Sequence, residues 1–424
     1  MSGDTRIERQ LPRILTDLGA GPTPDYTDTL LARTAATRQR PGWVFPERWF
    51  PMSAISERFT AAPRVPLRYV ALAALLVLAL IAAALYVGSH QRRLPAPFGP
   101  AANGLIPYTA GGDIYVGDPA TGRTRLLVGG PEIDSLPGFS PDGTKVAFFR
   151  DATRDGNLRD LYVVNDDGSH LTRVTAEPIA WVLSAVWAPD GRLAVIHQVS
   201  AGTNQLDLYD TTGSGSVQTV VSAVGMDGVG FRPPDGREIM YRALVDRKWG
   251  LFAMGIDGSN PRTIAEPTID SSIDMSYVMA TYSADGSRIF YERGTNDGCC
   301  RLWVMNADGS DPHEFVPPAA DAWDGEAVVS PDGTKVAYWH NPNDGPAHGV
   351  AVVRADGTGP VIETGPVLPG GAHWVWSPDS SKILMIPDDG SSTSAYLLDP
   401  EGGSYSVLPW PSDSSLDWQR LATN

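Results

Sequence analysis

The sequence predicts an all-β protein, a seven-bladed β-propeller of four-stranded blades, with six or eight blades as the alternative counts. Three observations carry this reading. The stretch Phe139–Arg150, FSPDGTKVAFFR, is rewritten at Trp187–His197, Phe231–Tyr241, Tyr282–Tyr291, Val329–Trp339 and Trp376–Ile386. The turn aspartates fall at 142, 190, 235, 285, 332 and 379, in steps of 48, 45, 50, 47 and 47. Each step matches the roughly 40–50 residues that four short strands and their loops require. Finally, the two chain ends each supply part of one more unit.

Within a copy, the local chemistry reads as strand, turn, strand. Pro141 presets φ for the turn and cannot extend a ladder, while Asp142 and Gly143 tolerate the angles of a tight reversal. Val146, Phe148 and Arg150 then alternate with Ala147 and Phe149, the period of a strand. A second hairpin follows, with Leu161–Val164 leading through Asp167, Gly168 and Ser169 to Leu171–Val174. The same step recurs at Asp257-Gly258-Ser259, Asp308-Gly309-Ser310 and Asp356-Gly357-Thr358. Two copies depart from the pattern. Phe231–Gly236 carries an extra residue, and Ser380 stands where the others have the turn glycine.

The termini complete the count. Leu105–Thr109, Asp113–Asp118 and Arg123–Val128 read as the second to fourth strands of a blade that lacks its first. Leu416–Leu421 reads as a first strand with nothing after it, and Trp418 lies 42 residues beyond Trp376. Pairing the C-terminus beside the N-terminal strands closes the ring, so residues 104–424 form the propeller.

These SPDG units resemble the WD-like repeats of TolB-type propellers over about residues 104–421. The resemblance implies the architecture and, by analogy with TolB, a place as a scaffold in a cell-envelope complex. TolB itself has six blades, so the seventh rests on the closure argument.

Upstream, the chain changes character. Residues 1–66 contain neither His nor Cys, and hold nine Arg against seven acidic residues. Their net charge of +2 leaves −18 of the total −16 to the rest. That sign disfavours a nucleic-acid role for the propeller, because a phosphate backbone attracts the opposite charge. Thr5–Leu18 and about Pro24–Thr37 read as amphipathic helices of a cytoplasmic segment. Gly42–Met52, with Trp43, Phe45, Trp49 and Phe50, suits either the headgroup layer or a docked protein.

Tyr69–Val87 is nineteen residues without a charge, about 28 Å as a helix at 1.5 Å per residue. Arg68 bounds it before, and His90, Arg92 and Arg93 after. A cleaved signal peptide fits poorly, since 68 residues precede the run. The expectation is a single transmembrane helix within 67–88, followed by a Pro-rich linker over 89–103. Arg48, Arg58, Arg64 and Arg68 outnumber the arginines after the span, which puts the N-terminus in the cytoplasm and the propeller outside the membrane. This layout is also similar to that of a group of bacterial membrane proteins with the same anchor and repeats.

No catalytic, cofactor or metal constellation emerges, and the ligand-binding residues stay unknown at this level. There is no Gly-x-Ser-x-Gly elbow, Walker loop or dinucleotide fingerprint, and the residues after Leu421 are too few for a hydrolase domain. The histidines at 90, 170, 197, 313, 340, 348 and 373 form no His-x-x-x-His pair. His340 and His348 read as unrelated loop residues, and the acidic run Asp151–Asp160 as a solvated loop lacking the closing Glu of a calcium site. Cys299 and Cys300 are either a strained vicinal disulfide or two packed thiols. Trp187, Trp376 and Trp418 occupy the repeat position that packs between blades; Trp181, Trp249, Trp323 and Trp374 lie nearer loops, where a ring packs or meets a ligand. The expected function is therefore non-enzymatic: a single-pass anchored propeller binding a protein, peptide or glycan outside, with inward signalling in an anti-sigma-like manner as the finer form of that reading. A TolB-like scaffold is the alternative, and an enzyme using the acidic channel a third.

Overall fold

The computed structural model describes residues 71–81, 94–270, 280–294, 300–315, 322–342, 348–368, 371–387, 394–411 and 417–423. The chain divides into two compact units, residues 1–91 and 92–424. The described part of the first is one helix over residues 71–81, inside the expected span, with every side chain exposed. No helix among the described residues is long and apolar enough to cross a membrane. The remainder of Tyr69–Val87, the two expected helices before it and the aromatic stretch Gly42–Met52 lie outside the described residues.

The second unit is a seven-bladed propeller in which the strands of each sheet follow chain order. Blade 1 comprises Asp134–Phe139, Lys145–Asp151, Leu158–Asn165 and Thr172–Arg173, with Ile179–Ala180 also paired to its third strand. Blades 2 to 6 begin at Val182, Asp227, Thr281, Ala322 and Ala372, each with four strands. Blade 7 holds Ile106–Ala110, Asp113–Gly117 and Thr124–Val128, within a residue of the boundaries expected.

Strand alternation places the core between blades. Val146 and Phe148 of blade 1 face Ile114 and Val116 of blade 7, while Ala147 and Phe149 face Val195 and Leu193 of blade 2. The same division recurs around the ring, giving seven apolar clusters, one for each junction. Burying each large apolar side chain contributes about 1.5–3 kcal/mol, so a blade is stabilised mainly by its two neighbours.

The SPDG turn is a hydrogen-bonded module. The Asp142 carboxylate accepts from the Ser140 hydroxyl at 2.5 Å, the Thr144 amide at 3.0 Å and the Thr144 hydroxyl at 2.8 Å. Ser140 Oγ in turn accepts the Lys145 amide at 3.0 Å. Asp332 and Asp379 repeat the arrangement. At Asp285 the Ser283 hydroxyl leads in holding the carboxyl below its usual range; at Asp142 burial pushes the other way and the turn donors outweigh it. These aspartates therefore stabilise the fold above the ordinary carboxylate range, and that contribution is lost as pH falls through their depressed values.

Successive turns also pack on each other. A Cβ on Gly143 would lie 2.1 Å from Arg420 O, one on Gly236 2.3 Å from Pro189 Cγ, and one on Gly286 2.1 Å from Pro233 O. In blade 6 Ser380 takes the glycine's place at φ 64°, and its hydroxyl accepts the Asp332 amide of the preceding turn at 3.0 Å. The turns thus form a ring around one end of the channel. Trp187, Trp376 and Trp418 pack between blades as expected, donating Nε1–H to Gly138 O at 3.0 Å, Val328 O at 2.9 Å and Gly104 O at 3.1 Å.

Closure is by the C-terminus, as expected, with one difference. The Gly104 amide donates to Gln419 O at 2.9 Å and the Gln419 amide to Leu105 O at 2.8 Å. Pairing then runs on through Asn103↔Arg420 and Ala102↔Leu421. Other blades turn at this point; here no turn joins the two strands, and the ladder extends. Gln419, 4% exposed, fastens the joint: its Nε2 donates to Gly143 O at 2.7 Å and its Oε1 accepts from the Leu105 amide at 3.1 Å. Asp417 accepts the Phe139 and Trp418 amides. Burial pushes its carboxyl up to about 7 against those bonds.

Two outcomes are expected. Gly143→Ala loses more than about 3 kcal/mol in denaturant unfolding, since backbone must shift, whereas Gly191→Ala, at φ 86° with nothing within 4 Å of its Cβ, loses only about 1 kcal/mol. Because the folded value of Asp417 lies above the unfolded one, its stabilising contribution is complete below the ordinary carboxylate range and disappears as pH rises to about 7. Melting temperatures of Asp417→Asn across pH 5–8 should accordingly rise relative to the parent toward pH 8.

Candidate functional site

Hairpin order makes the two ends of the channel different. Each 3–4 turn lies beside the 1–2 turn of its own blade, as the Asp166 amide to Thr144 O and the Ile256 amide to Arg237 O show, at 2.9 and 2.8 Å. The 2–3 connections and the passages between blades therefore gather at the opposite, loop end.

There the first strands of blades 1, 3 and 5 carry, at or near their start, an acid paired across the ladder with a base. Asp134 opposes Arg150, Asp227 opposes Arg242 and Asp324 opposes His340. Arg150 Nε and Nη2 donate to Asp134 at 2.7 and 2.8 Å, a bidentate pair with Asp134 fully buried. Arg242 grips Asp227 likewise at 2.6 and 2.5 Å, and His340 Nδ1 meets Asp324 Oδ1 at 2.7 Å. Asp324 holds the His340 ring above the usual histidine range. Each arginine also stacks on the third strand, Arg150 at 4.8 Å over Tyr162 and Arg242 at 3.9 Å over Trp249. Blade 2 uses another geometry, His197 Nε2 to Asp207 Oδ2 at 2.9 Å.

Just past these acids the first strands bulge. Register shifts fall between Ser135 and Gly138, Asp227 and Val229, and Gly325 and Val328, with Leu136, Gly228 and Glu326 at φ 53°, 62° and 52°. Blade 4 adds Glu292, 4% exposed, leaning on the first strand of blade 5, where a Cβ on Gly325 would meet its Oε2 at 2.6 Å. Burial pushes the Glu292 carboxyl up to about 7, against the Cys300 thiol that pulls it down.

Trp181 is the outlying residue of this end. It is 55% exposed and held at φ 48° by two backbone bonds, its amide to Asn157 O at 2.9 Å and the Gln198 amide to its carbonyl at 3.2 Å. Leu183, also 55% exposed, follows it by two residues, and the exposed Leu158 and Val199 are chain neighbours of the two residues that bond its backbone. A bulky side chain at positive φ costs about 1–3 kcal/mol, offset here by the two backbone bonds.

The other sequence candidates resolve without a site. Trp249 lies under Arg242, and Trp374 is buried and stacked on Trp339 at 6.0 Å. The side chains of Trp323 and His348, and all of Cys299, lie outside the described residues. Cys300 is buried, with its thiol against the Glu292 carboxyl. In the acidic loop, Asp151 faces Arg159 at 3.3 Å, Asp160 faces Arg173 at 2.6 Å, and Asp155 caps its own turn. Among the described residues no group of three His, Cys, Asp or Glu side chains is placed to hold a metal ion. On the turn end, a cleft of about 830 Å³ between blades 3 and 4 contains Arg232, Arg237 and Arg262. Glu238 occupies two of them, at 3.3 and 2.8 Å, so that group is largely self-neutralised.

Sequence reasoning missed the acid–base pairs. Their signal is an aspartate eight residues before the turn aspartate, at 134, 227 and 324, in alternate copies.

The fold and this site define a propeller with a stereotyped turn end and an individual loop end. Residues 96–272 match the family model described as the TolB beta propeller domain, so this stretch carries TolB-type repeats, as the SPDG units indicated. Comparison with curated proteins finds no significant match. Among solved structures, TolB from Acinetobacter baumannii is 17% identical, with 74% of this chain and 81% of that one covered and a TM-score of 0.49. Oligogalacturonate lyase from Vibrio parahaemolyticus is 15% identical over 75% and 86%, at 0.53. Prolyl oligopeptidase B from Galerina marginata is 13% identical over 73% and 51%, at 0.54. The likeness is one of fold, and two of these three are named as enzymes, so the fold decides neither for nor against catalysis.

Proposed function

We propose that the protein is a single-pass, membrane-anchored propeller whose loop end binds a protein or peptide, or the face of a sugar ring, outside the cytoplasm. The observation that carries the binding role is Trp181, a large ring held exposed at an unfavourable backbone angle among Leu183, Val199 and Leu158. The anchor is supported by the uncharged run Tyr69–Val87 and by a described helix, residues 71–81, whose apolar side chains are all exposed. Orientation, with the N-terminus cytoplasmic, follows the arginine bias around that run. Inward signalling through residues 1–66 is the finer form of this reading. The TolB-type match over residues 96–272 favours a second one, a scaffold of a cell-envelope complex.

Trp181→Gly separates binding from folding. It removes the ring and the positive-φ penalty together, so the melting temperature should stay within a few degrees. Photo-crosslinking from position 183 in the full-length protein should capture a specific partner in membranes, and the glycine variant should lose at least tenfold of that yield. Equal capture by both proteins would refute the role assigned to Trp181. Protease added to intact bacterial cells from outside should degrade residues 94–424 and spare 1–66; the reverse pattern would invert the topology.

A further inference from the structure

The Pro-rich segment expected to be a spacer lies against the turn end of the propeller. Pro95 and Pro97 wall a cavity of about 180 Å³ with Ser140 and Pro189, turn residues of blades 1 and 2. Phe98 packs on the cluster that holds Ala188 and Phe231, at the junction of blades 2 and 3. Gly99 and Pro100 wall a cavity of about 550 Å³ with Ser283 and Pro331, from the turns of blades 4 and 5. The Ala101 amide then donates to Pro378 O of the blade 6 turn at 2.9 Å. Seven residues reach at most about 25 Å when extended, too short to travel around the ring of turns. The segment must cross the mouth of the channel.

One side chain ties this crossing to the closing joint. Arg420, in the C-terminal strand, donates from Nη2 to Gly99 O at 2.5 Å and to Ala96 O at 3.1 Å. The neighbouring Gln419 carries the backbone bonds to Gly104 and Leu105. Asn103, between segment and joint, accepts the Asp379 amide through Oδ1 at 3.1 Å.

We infer that residues 95–101 are a strap that shuts the turn-end mouth and shares one cooperative unit with the joint, so that displacing the strap loosens the ring closure. Ligands then enter the channel from the loop end alone. Resting on the anchored reading above, the strap is also the path by which movement at the membrane segment reaches the closure of blade 7.

Hydrogen exchange on the full-length protein in detergent, without any partner, tests this. Phe98→Ala removes a strap contact at blades 2 and 3, away from the joint. The amides of Ala101, Gly104 and Gln419 should all exchange roughly tenfold faster or more, with Val146 and Val164 in blade 1 unchanged. Phe98→Leu should restore slow exchange at all three. Faster exchange at Ala101 alone, with Gly104 and Gln419 at parental rates, would overturn the coupling. Arg420→Met should reproduce the Phe98→Ala pattern, and a parental exchange map in that variant also counts against it. Partner binding enters none of these readouts, so a failure of the Trp181 experiment leaves them intact, and the converse holds.

Discussion

Every blade here borrows its stability from both neighbours, so the ring has to close. A four-stranded sheet with two apolar faces cannot stand alone, and an open array needs capping units to shield its end faces. This chain closes instead through the few residues around Gln419, whose amide and carbonyl groups engage Gly104, Leu105 and Gly143. With that clasp in place all seven apolar junctions are covered. Without it the faces of blades 6 and 1 that border blade 7 lose their seal, and the residues exposed include Phe148 and Trp410.

The two ends of the channel bear different constraints. At the turn end, space is set by the preceding blade: a Cβ at Gly143 or Gly286 has no room, and the one departure, Ser380, is compensated by a hydroxyl bond to Asp332. Little freedom remains there for a binding surface to vary. At the loop end the chemistry varies among blades 1 to 5, from bidentate Asp–Arg pairs through His–Asp pairs to the buried Glu292. Bulges re-aim the inner strands at that level, which is how a regular scaffold presents irregular side chains.

Much of this was legible in the residues. The SPDG copies carry their own turn chemistry, so strands, turns and blade count followed from local rules, and the joint followed from the incomplete units at either terminus. The strap was not legible: Leu94–Asn103 has the composition of a spacer, and only tertiary contacts of Phe98 and Arg420 hold it down. The acid–base pairs were written in the sequence at a fixed offset, but ordinary charged residues in loops give the same pattern without pairing. Trp181 was recognisable as a loop tryptophan, while its left-handed backbone depends on a hydrogen bond to Asn157 O and one from the Gln198 amide that no local signal encodes. The uncharged run Tyr69–Val87 was legible from composition, and its described part is the helix of residues 71–81.

The paired termini have an evolutionary and engineering consequence. Ala102–Asn103 and Arg420–Leu421 sit where every other blade makes a tight reversal, so the natural ends of the ring are one short loop from being continuous. A circularly permuted chain, spliced there through a four-residue reversal and cut between two other blades, would keep every sheet while moving the break elsewhere. It would also detach the crossing segment, residues 95–101, from the joint, because Ala101 and Ala102 would no longer be consecutive.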